Sequence, residues 1–151
     1  MSITYQAAQD AILGIAKAAI DANANSILGY APDVRYSGVP KSTPPDMSKL
    51  WIRLTTTVVK DNQAALANAN SKQLYEANGF FIAELYCPRN VAGSKDAHGT
   101  PLAEAIRTAF RNGASSGEIW FTDMVIHDLP ETAENYPIQV SAMFNYRTIT
   151  P

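Results

Sequence analysis

In four stretches of the chain, the residues at every second position form one largely apolar set and one mixed set. These stretches are residues 50–60, 79–88, 118–128 and 136–149. Such alternation is typical of β-strands that bury one face, and the β-branched and aromatic residues that favour strands are common in them. A shorter stretch, residues 34–36, has the same character but lies among prolines, which cannot donate to a sheet ladder. The pattern therefore predicts four long strands and one short strand.

Two further stretches repeat their apolar residues at spacings of three and four, which is the period of an α-helix. In the first, residues 3–21, the apolar stripe consists of Tyr5, Ala8, Ile12, Ile15, Ala16, Ala19 and Ile20. Thr4 is its predicted N-cap, and the asparagines of residues 23–25 are predicted to end it. In the second, the stripe consists of Leu102, Ile106, Ala109 and Phe110. Thr100 is predicted to cap that helix, and Gly113 to end it in the left-handed conformation.

The predicted order of elements is helix, short strand, strand, strand, helix, strand, strand. Strands that follow each other without an intervening helix pair most easily as antiparallel neighbours. Two helices can then cover one face of the resulting sheet. We therefore predict a single α+β domain over residues 1–151, with an antiparallel or mixed sheet of four to five strands and two helices packed on one face.

Two long segments interrupt this order. Residues 39–49 are rich in proline, and residues 61–78 are rich in alanine and asparagine. Because these residue types are uncommon inside strands, both segments are predicted to be loops, and the second is expected to project from the sheet as a long connection. Loops of this length are often functional. We expect both to become ordered on an assembly partner.

The long strands are predicted to have two unlike faces, one largely apolar and one mixed. The mixed faces carry Trp51, Arg53, Phe80, Glu84, Tyr86, Trp120 and Met124. Aromatic residues, methionine and arginine are enriched at the centres of protein–protein interfaces. These residues are therefore the predicted subunit or partner interface, on the side of the sheet away from the helices. The alternative is that the chain's own loop, residues 39–49, covers this face.

Composition and charge limit the classes of partner. Of the 151 residues, 46% are hydrophobic and 17% are charged, and the net charge is −2. The absence of a basic block argues against autonomous binding to nucleic acid, which needs clustered lysine and arginine. No apolar run approaches the roughly 20 residues of a membrane span, and no signal-peptide pattern is evident. We expect no membrane association and assembly in the cytoplasm of the cell that makes the protein.

The residues that could carry catalysis are few and scattered. Cys87 is the only cysteine, and its place in an alternating strand predicts a buried thiol. His98 and His127 are the only histidines, and neither belongs to a close-spaced pair of the kind that binds zinc. A Cys87–His98 dyad is the alternative, but only Arg89 would supply the positive charge that activates a thiol. We expect no enzyme activity, no cofactor and no metal site.

Several segments, taken in order, resemble one protein family. They are the N-terminal helix, the proline-rich loop, the strand at residues 51–59 and the segment YEANGFFIAELYCP at residues 75–88. The second helix and the closing strand at residues 140–146 continue the pattern. Over nearly its whole length the chain resembles the tail terminator proteins of long-tailed bacteriophages. The resemblance lies in the pattern of strands and helices rather than in invariant residues.

The resemblance implies a structural virion protein without catalytic residues. Members of the family form a hexameric ring on the end of the tail tube, which stops tube polymerisation and offers a surface for head joining. The implied partners are other copies of the chain, the tail tube protein and the neck or head completion proteins. DNA would pass through the ring without specific recognition, and the implied location is the tail of the virion, assembled in the host cytoplasm. A head–tail connector or neck completion protein is the close alternative, and a small enzyme is the distant one.

Overall fold

The computed structural model describes residues 3–66, 73–113 and 119–150 of the chain. In chain order the elements are α1 (Tyr5–Leu28), β1 (Asp33–Tyr36), β2 (Trp51–Leu66), β3 (Gln73–Pro88), a π-helical turn (Ser94–Gly99), α2 (Thr100–Asn112), β4 (Ile119–Asp128) and β5 (Asn135–Thr150). The described strands form one mixed sheet, and the two α-helices pack on one of its faces. The predicted α+β class is confirmed.

β3 is the central strand of the sheet, in which the strand order is β1-β2-β3-β5-β4. It pairs antiparallel with β2 on one side and with β5 on the other. β4 continues the sheet antiparallel to β5, and β1 adds a short parallel strand beside β2. The consecutive pairs β2–β3 and β4–β5 are antiparallel, as expected where no helix intervenes, whereas β1 and β2, which are also consecutive, pair in parallel. The contact between β3 and β5 joins the two pairs into one sheet.

Burial of one sheet face by both helices creates the core. The buried apolar residues of α1, α2 and the inner sheet face belong to a single cluster. Within it, the Phe81 ring of β3 lies 4.5 Å from the Phe110 ring of α2, measured between centroids. Phe110 in turn contacts Phe121 of β4 edge-on, with a centroid distance of 5.1 Å. These aromatic contacts link the central strand, the second helix and the edge strand.

The first helix is longer than predicted. Thr4 is its N-cap as predicted, and the Thr4 side-chain oxygen accepts a hydrogen bond from a first-turn N–H. The helix continues through residues 23–25 to Leu28, so the predicted end is wrong. Ala24 and Leu28 are buried in the core, and their burial outweighs the weak preference of asparagine for turns. Gly29 then ends the helix with φ of 82°. Like the other described helix, α1 is not long and apolar enough to cross a membrane.

The second helix starts differently from the prediction, and its C-cap has a different conformation from the predicted one. The π-helical turn runs directly into α2, so Thr100 is not an N-cap. The Ser94 hydroxyl donates to the carbonyl oxygen of Pro88 at 2.5 Å and holds this turn against the end of β3. Gly113 is the C-cap, as predicted, but its φ of −79° lies outside the left-handed region. Packing of the turn on β3, rather than a side-chain cap, therefore sets where the helix begins.

The predicted connection over residues 61–78 is wrong, because most of it is strand. β2 continues to Leu66 and β3 begins at Gln73, while residues 67–72 lie outside the described part of the chain. This part of β3 is paired on both sides, by β2 and by β5. Ladder hydrogen bonds come from the backbone and satisfy any residue type except proline, so asparagine and alanine do not end the strands here. Register shifts in β2 take up the irregularity.

Gly79 of β3 lies where the sheet leaves no room for a side chain. A Cβ at this position would collide with the carbonyl oxygen of Thr57 and lie 2.9 Å from Cζ of Phe144. We expect Gly79→Ala to lower the free energy of unfolding by about 1–3 kcal/mol, because the neighbouring strand must move. The matched control is Gly14→Ala in α1, where nothing lies within 4 Å of the added Cβ. That substitution is expected to raise the free energy of unfolding by about 0.5–1 kcal/mol. Urea unfolding measures the stability of both variants. A destabilised Gly14→Ala protein together with a Gly79→Ala protein of normal stability would contradict the packing of Thr57 and Phe144 against Gly79.

Candidate functional site: the outer face of the sheet

The face of the sheet opposite the helices, which we call the outer face, has no described helix over it. Phe80 and Trp120 lie on this face and are 38% and 41% exposed. Their chain neighbours Phe81 and Phe121 point into the core and are 0% and 7% exposed. Scattered exposed apolar residues are normal, but aromatic rings on one continuous sheet face are typical of contact surfaces. The outer face is therefore the candidate functional site.

One end of the outer face holds a stacked aromatic pair with charged neighbours. The Trp51 and Tyr86 rings lie parallel with centroids 4.1 Å apart, and the Arg35 guanidinium lies 5.9 Å from the Trp51 ring centroid. The Tyr86 hydroxyl donates to the Glu84 carboxylate at 2.7 Å, and Arg53 lies directly across from Glu84 in the ladder. This network fixes the side chains in place, which lowers the entropy cost of a contact with a partner.

The ionisation of Tyr86 follows from this setting. Partial burial, and then the hydrogen bond and the charge of Glu84, raise the pKa of Tyr86 to about 12, while Arg53 acts weakly in the opposite direction. Tyr86 is therefore protonated at neutral pH and acts as a hydrogen-bond donor to Glu84. It supplies a large ring with a polar tip, a combination that suits interfaces.

The middle of the outer face combines large apolar side chains with small hydroxyl side chains, and the ladder shows how its rows are arranged. Phe80 lies opposite Met143 of β5, and Met143 lies opposite Thr122 of β4. In the next row, Ile82 and Val125 flank Ser141. Val125 is 38% exposed. Apolar side chains in the middle with charged pairs toward the ends match the layout of protein–protein interfaces, which have an apolar centre and a polar rim.

The opposite end of the outer face carries Trp120. The Arg147 guanidinium lies 5.3 Å from the Trp120 ring centroid, and Arg147 forms an ion pair with Glu76 at 3.5 Å. Both members of this ion pair are substantially exposed, so the pair itself contributes little to stability. Its more important effect is to hold the cation over the tryptophan ring and leave the rest of the ring open.

Met124 does not belong to the outer face, contrary to the prediction. The β4–β5 register shifts between Thr122 and Val125, and Asp123 has a positive φ of 52°. This β-bulge adds one residue and reverses the alternation along the rest of β4. Met124 consequently packs against the core, and Val125, which strict alternation assigns to the buried side, faces outward. Nothing in the local residue pattern marks the bulge.

The proline-rich loop does not cover the middle of the outer face. Residues 37–50 contain no helix or strand. In this segment Lys41 forms an ion pair with Asp33 at 2.5 Å, and the carbonyl oxygen of Thr43 accepts from Arg35 at 2.7 Å. Both contacts are with β1, at the edge of the sheet. Because Phe80 and Trp120 stay exposed, the alternative that the chain covers its own outer face does not hold for them.

Comparison with known proteins shows the fold. No family model and no curated protein matches the chain. The chain shares its fold with solved structures. One of the 26 matching chains is 15% identical to this protein and has a TM-score of 0.60. The match covers 91% of this protein and 94% of the matching chain. At this identity the likeness extends to the arrangement of elements and not to function.

The residues considered for catalysis lie on three different elements of the fold. Cys87 is fully buried, and burial raises the pKa of its thiol to about 12, with Lys95 acting in the opposite direction. His127 lies in the outer-face row of Gln139, and His98 lies in the π-helical turn. Within the described ranges, no group of three or more His, Cys, Asp or Glu side chains is placed to hold a metal ion.

A cavity of about 490 Å³ lies between the end of α1, β1 and the proline-rich loop. Three lysines line it, and each is already engaged: Lys17 and Lys41 form ion pairs at 2.5 Å with Asp21 and Asp33, and Lys49 lies 5.4 Å from an aromatic ring centroid of the wall. The cavity therefore presents little uncompensated positive charge. It is a weaker candidate for a site than the outer face.

The burial of Cys87 has a direct chemical consequence. A neutral thiol inside the core is both inaccessible and a poor nucleophile. We expect the folded protein to react with 5,5′-dithiobis(2-nitrobenzoic acid) at pH 8 at least about 100-fold more slowly than the urea-unfolded protein, since reaction requires opening of the structure. The absorbance of the released thiolate measures both rates. Rapid, complete reaction of the folded protein would contradict a buried thiol.

Proposed function

We propose that this chain is a structural subunit of a phage tail, which caps the end of the tail tube as a ring, stops tube polymerisation and provides the surface for head joining. The observation that carries the proposal is the outer face, where Phe80, Trp120 and Val125 are exposed between charged pairs. The resemblance of the sequence to tail terminator proteins supplies the biological setting. The role requires binding surfaces and no catalytic residue.

A second copy of the chain is the proposed occupant of the outer face. The face carries charges of both signs, in the Arg53–Glu84 and Arg147–Glu76 pairs, so a partner does not need a strong net charge of its own. The net charge of −2 also produces only weak repulsion between copies. Complementarity of shape and apolar area, rather than long-range attraction, would then drive the contact.

Ring formation follows if the contact is heterologous. When the outer face of one subunit docks on a different surface of the next, the contact repeats with a fixed rotation and closes into a ring if that rotation divides a full turn. Six copies are proposed on the basis of the family resemblance. One side of the ring would bind the tail tube protein and the other side the neck or head completion proteins, with DNA passing through the centre without specific recognition.

Electron microscopy of lysates from phage lacking this protein tests the proposal. Overlong tail tubes without heads are the expected result, because nothing would then stop polymerisation. The matched control is the same lysate with the wild-type protein supplied from a plasmid, which should restore tails of uniform length with heads attached. Tails of normal length that merely fail to join heads would favour a neck or connector role. Normal infectious particles would exclude both roles.

A further inference from the structure

A second candidate binding site lies on the inner side of the sheet, beyond the first residue of α1. The paired strands β2, β3 and β5 supply the residues of the inner face at this end of the sheet. A cleft of about 260 Å³ occurs there, which we call the tyrosine cleft. It is lined by Tyr5, Asp61, Tyr75, Tyr146 and Thr148.

The ladder and the N-terminal segment together build this cleft. Asp61, Ala77 and Tyr146 occupy one row of the sheet, and Tyr75 and Thr148 lie opposite each other in the next row on the same face. Above them, the Ile3 N–H donates to the carbonyl oxygen of residue 147 at 3.1 Å, and the Thr148 hydroxyl donates to the Ile3 carbonyl oxygen at 3.0 Å. These bonds hold the start of α1 in place, so the walls are preorganised.

Within the part of the chain that the structure describes, no cation pairs with Asp61, the carboxylate of the cleft. Its chain neighbour Lys60 is in the adjacent ladder row, opposite Asn78, and so belongs to the other face. Burial raises the pKa of Tyr146, and the nearby Asp61 charge raises it further. The cleft therefore combines one carboxylate with tyrosine rings, whose faces are electron-rich.

This combination matches a cation. We propose that the tyrosine cleft binds the side chain of an arginine presented by a basic segment of a partner polypeptide. A guanidinium group stacks on tyrosine rings and at the same time donates to a carboxylate such as Asp61, whereas a neutral group lacks the charge attraction and an anionic group is repelled. Tyr5 is 60% exposed and forms the accessible wall, whereas Tyr146 is buried and forms the floor. The site is separate from the outer face and does not depend on the proposed ring.

The start of α1 provides the main opposing effect. A helix N-terminus carries a partial positive charge that favours anions and disfavours cations. The Ala7 N–H of this terminus donates to the Thr4 side chain, which reduces the exposed positive charge of the helix end. The full negative charge of Asp61 is larger than this partial charge. The experiment must therefore compare a cation with an anion.

An NMR titration with small probes tests the proposal. N-acetyl-arginine amide should shift the ring resonances of Tyr5, Tyr75 and Tyr146 with saturation in the millimolar range, as expected for one side chain. N-acetyl-citrulline amide has nearly the same shape without the charge and should bind at least about fivefold more weakly. Binding of citrulline as strong as that of arginine, stronger binding of N-acetyl-glutamate amide, or the absence of ring shifts would each overturn the proposal.

Two substitutions with the same change in net charge separate a specific site from general attraction. Asp61→Asn should weaken arginine binding about five- to tenfold. Asp10→Asn is the control, because Asp10 is exposed on α1 and accepts a hydrogen bond from Gln6 at 2.9 Å. It should leave the affinity unchanged. Equal loss in the two variants would show that only the overall charge matters, and circular dichroism verifies that both remain folded.

Discussion

Replacing Phe81 with alanine is expected to lower the free energy of unfolding by about 3–5 kcal/mol, a large part of the stability of a domain of this size. Phe81 is fully buried in the central strand, and its ring centroid lies 4.5 Å from that of Phe110. The cavity left by the ring would be enclosed by the paired sheet and by α2, neither of which can easily collapse into it. Little of the lost contact can therefore be regained.

The control for this substitution is the adjacent residue. Phe80→Ala removes the same atoms, but Phe80 is on the outer face and 38% exposed. We expect it to lower the free energy of unfolding by less than about 1 kcal/mol. Urea unfolding followed by circular dichroism measures both variants. If both variants lost a similar amount of unfolding free energy, Phe80 and Phe81 would not lie on an exposed and a buried face of β3.

Substitutions on the outer face are expected to weaken ring assembly strongly and folding only slightly. Trp120→Ala removes a ring that is 41% exposed. This ring takes no part in the aromatic pairs of the core, Phe81–Phe110, Phe110–Phe121 and Phe144–Tyr146. Truncating a tryptophan that anchors an interface commonly costs about 2 kcal/mol or more, which corresponds to roughly 30-fold weaker binding. Arg53→Glu places a carboxylate directly across from Glu84 and reverses the charge at one end of the face. Its cost to folding should stay below about 1 kcal/mol.

Complementation of phage lacking this protein measures assembly, by counting uniform tails with attached heads in electron micrographs. Arg111→Glu is the matched control, since it makes the same charge reversal at an exposed position near the end of α2. Wild-type circular dichroism in all three variants would establish that they fold. Normal tails with both outer-face variants, or an equal defect with Arg111→Glu, would show that the outer face is not the specific interface.

Alternation with a period of two was enough to predict the two faces wherever pairing is regular. Trp51, Phe80 and Tyr86 were assigned to the side away from the helices for this reason, and their exposure and contacts agree. The prediction for Met124 was wrong because a single positive φ at Asp123 reverses the alternation. A bulge depends on how β4 meets β5, so its cause lies outside the local pattern.

The tyrosine cleft could not have been found from the sequence. Tyr5, Tyr75 and Tyr146 come from three distant parts of the chain, and Asp61 lies in a segment predicted to be a loop. Only the extended pairing of β2, β3 and β5 brings these residues together. Their spacing along the chain carries no signal comparable to the alternation of a strand.

The sequence by itself determined the fold class, the buried and open faces of the regular strands, the cap at Thr4 and the burial of Cys87. Each of these follows from local periodicity or from residue chemistry, which act within a few residues. The end of α1 at Leu28, the strands through residues 61–66 and 73–78, the central place of β3 and the bulge at Asp123 were decided by the tertiary structure. Local preferences amount to tenths of a kcal/mol per residue, and burial of a side chain or completion of a ladder outweighs them.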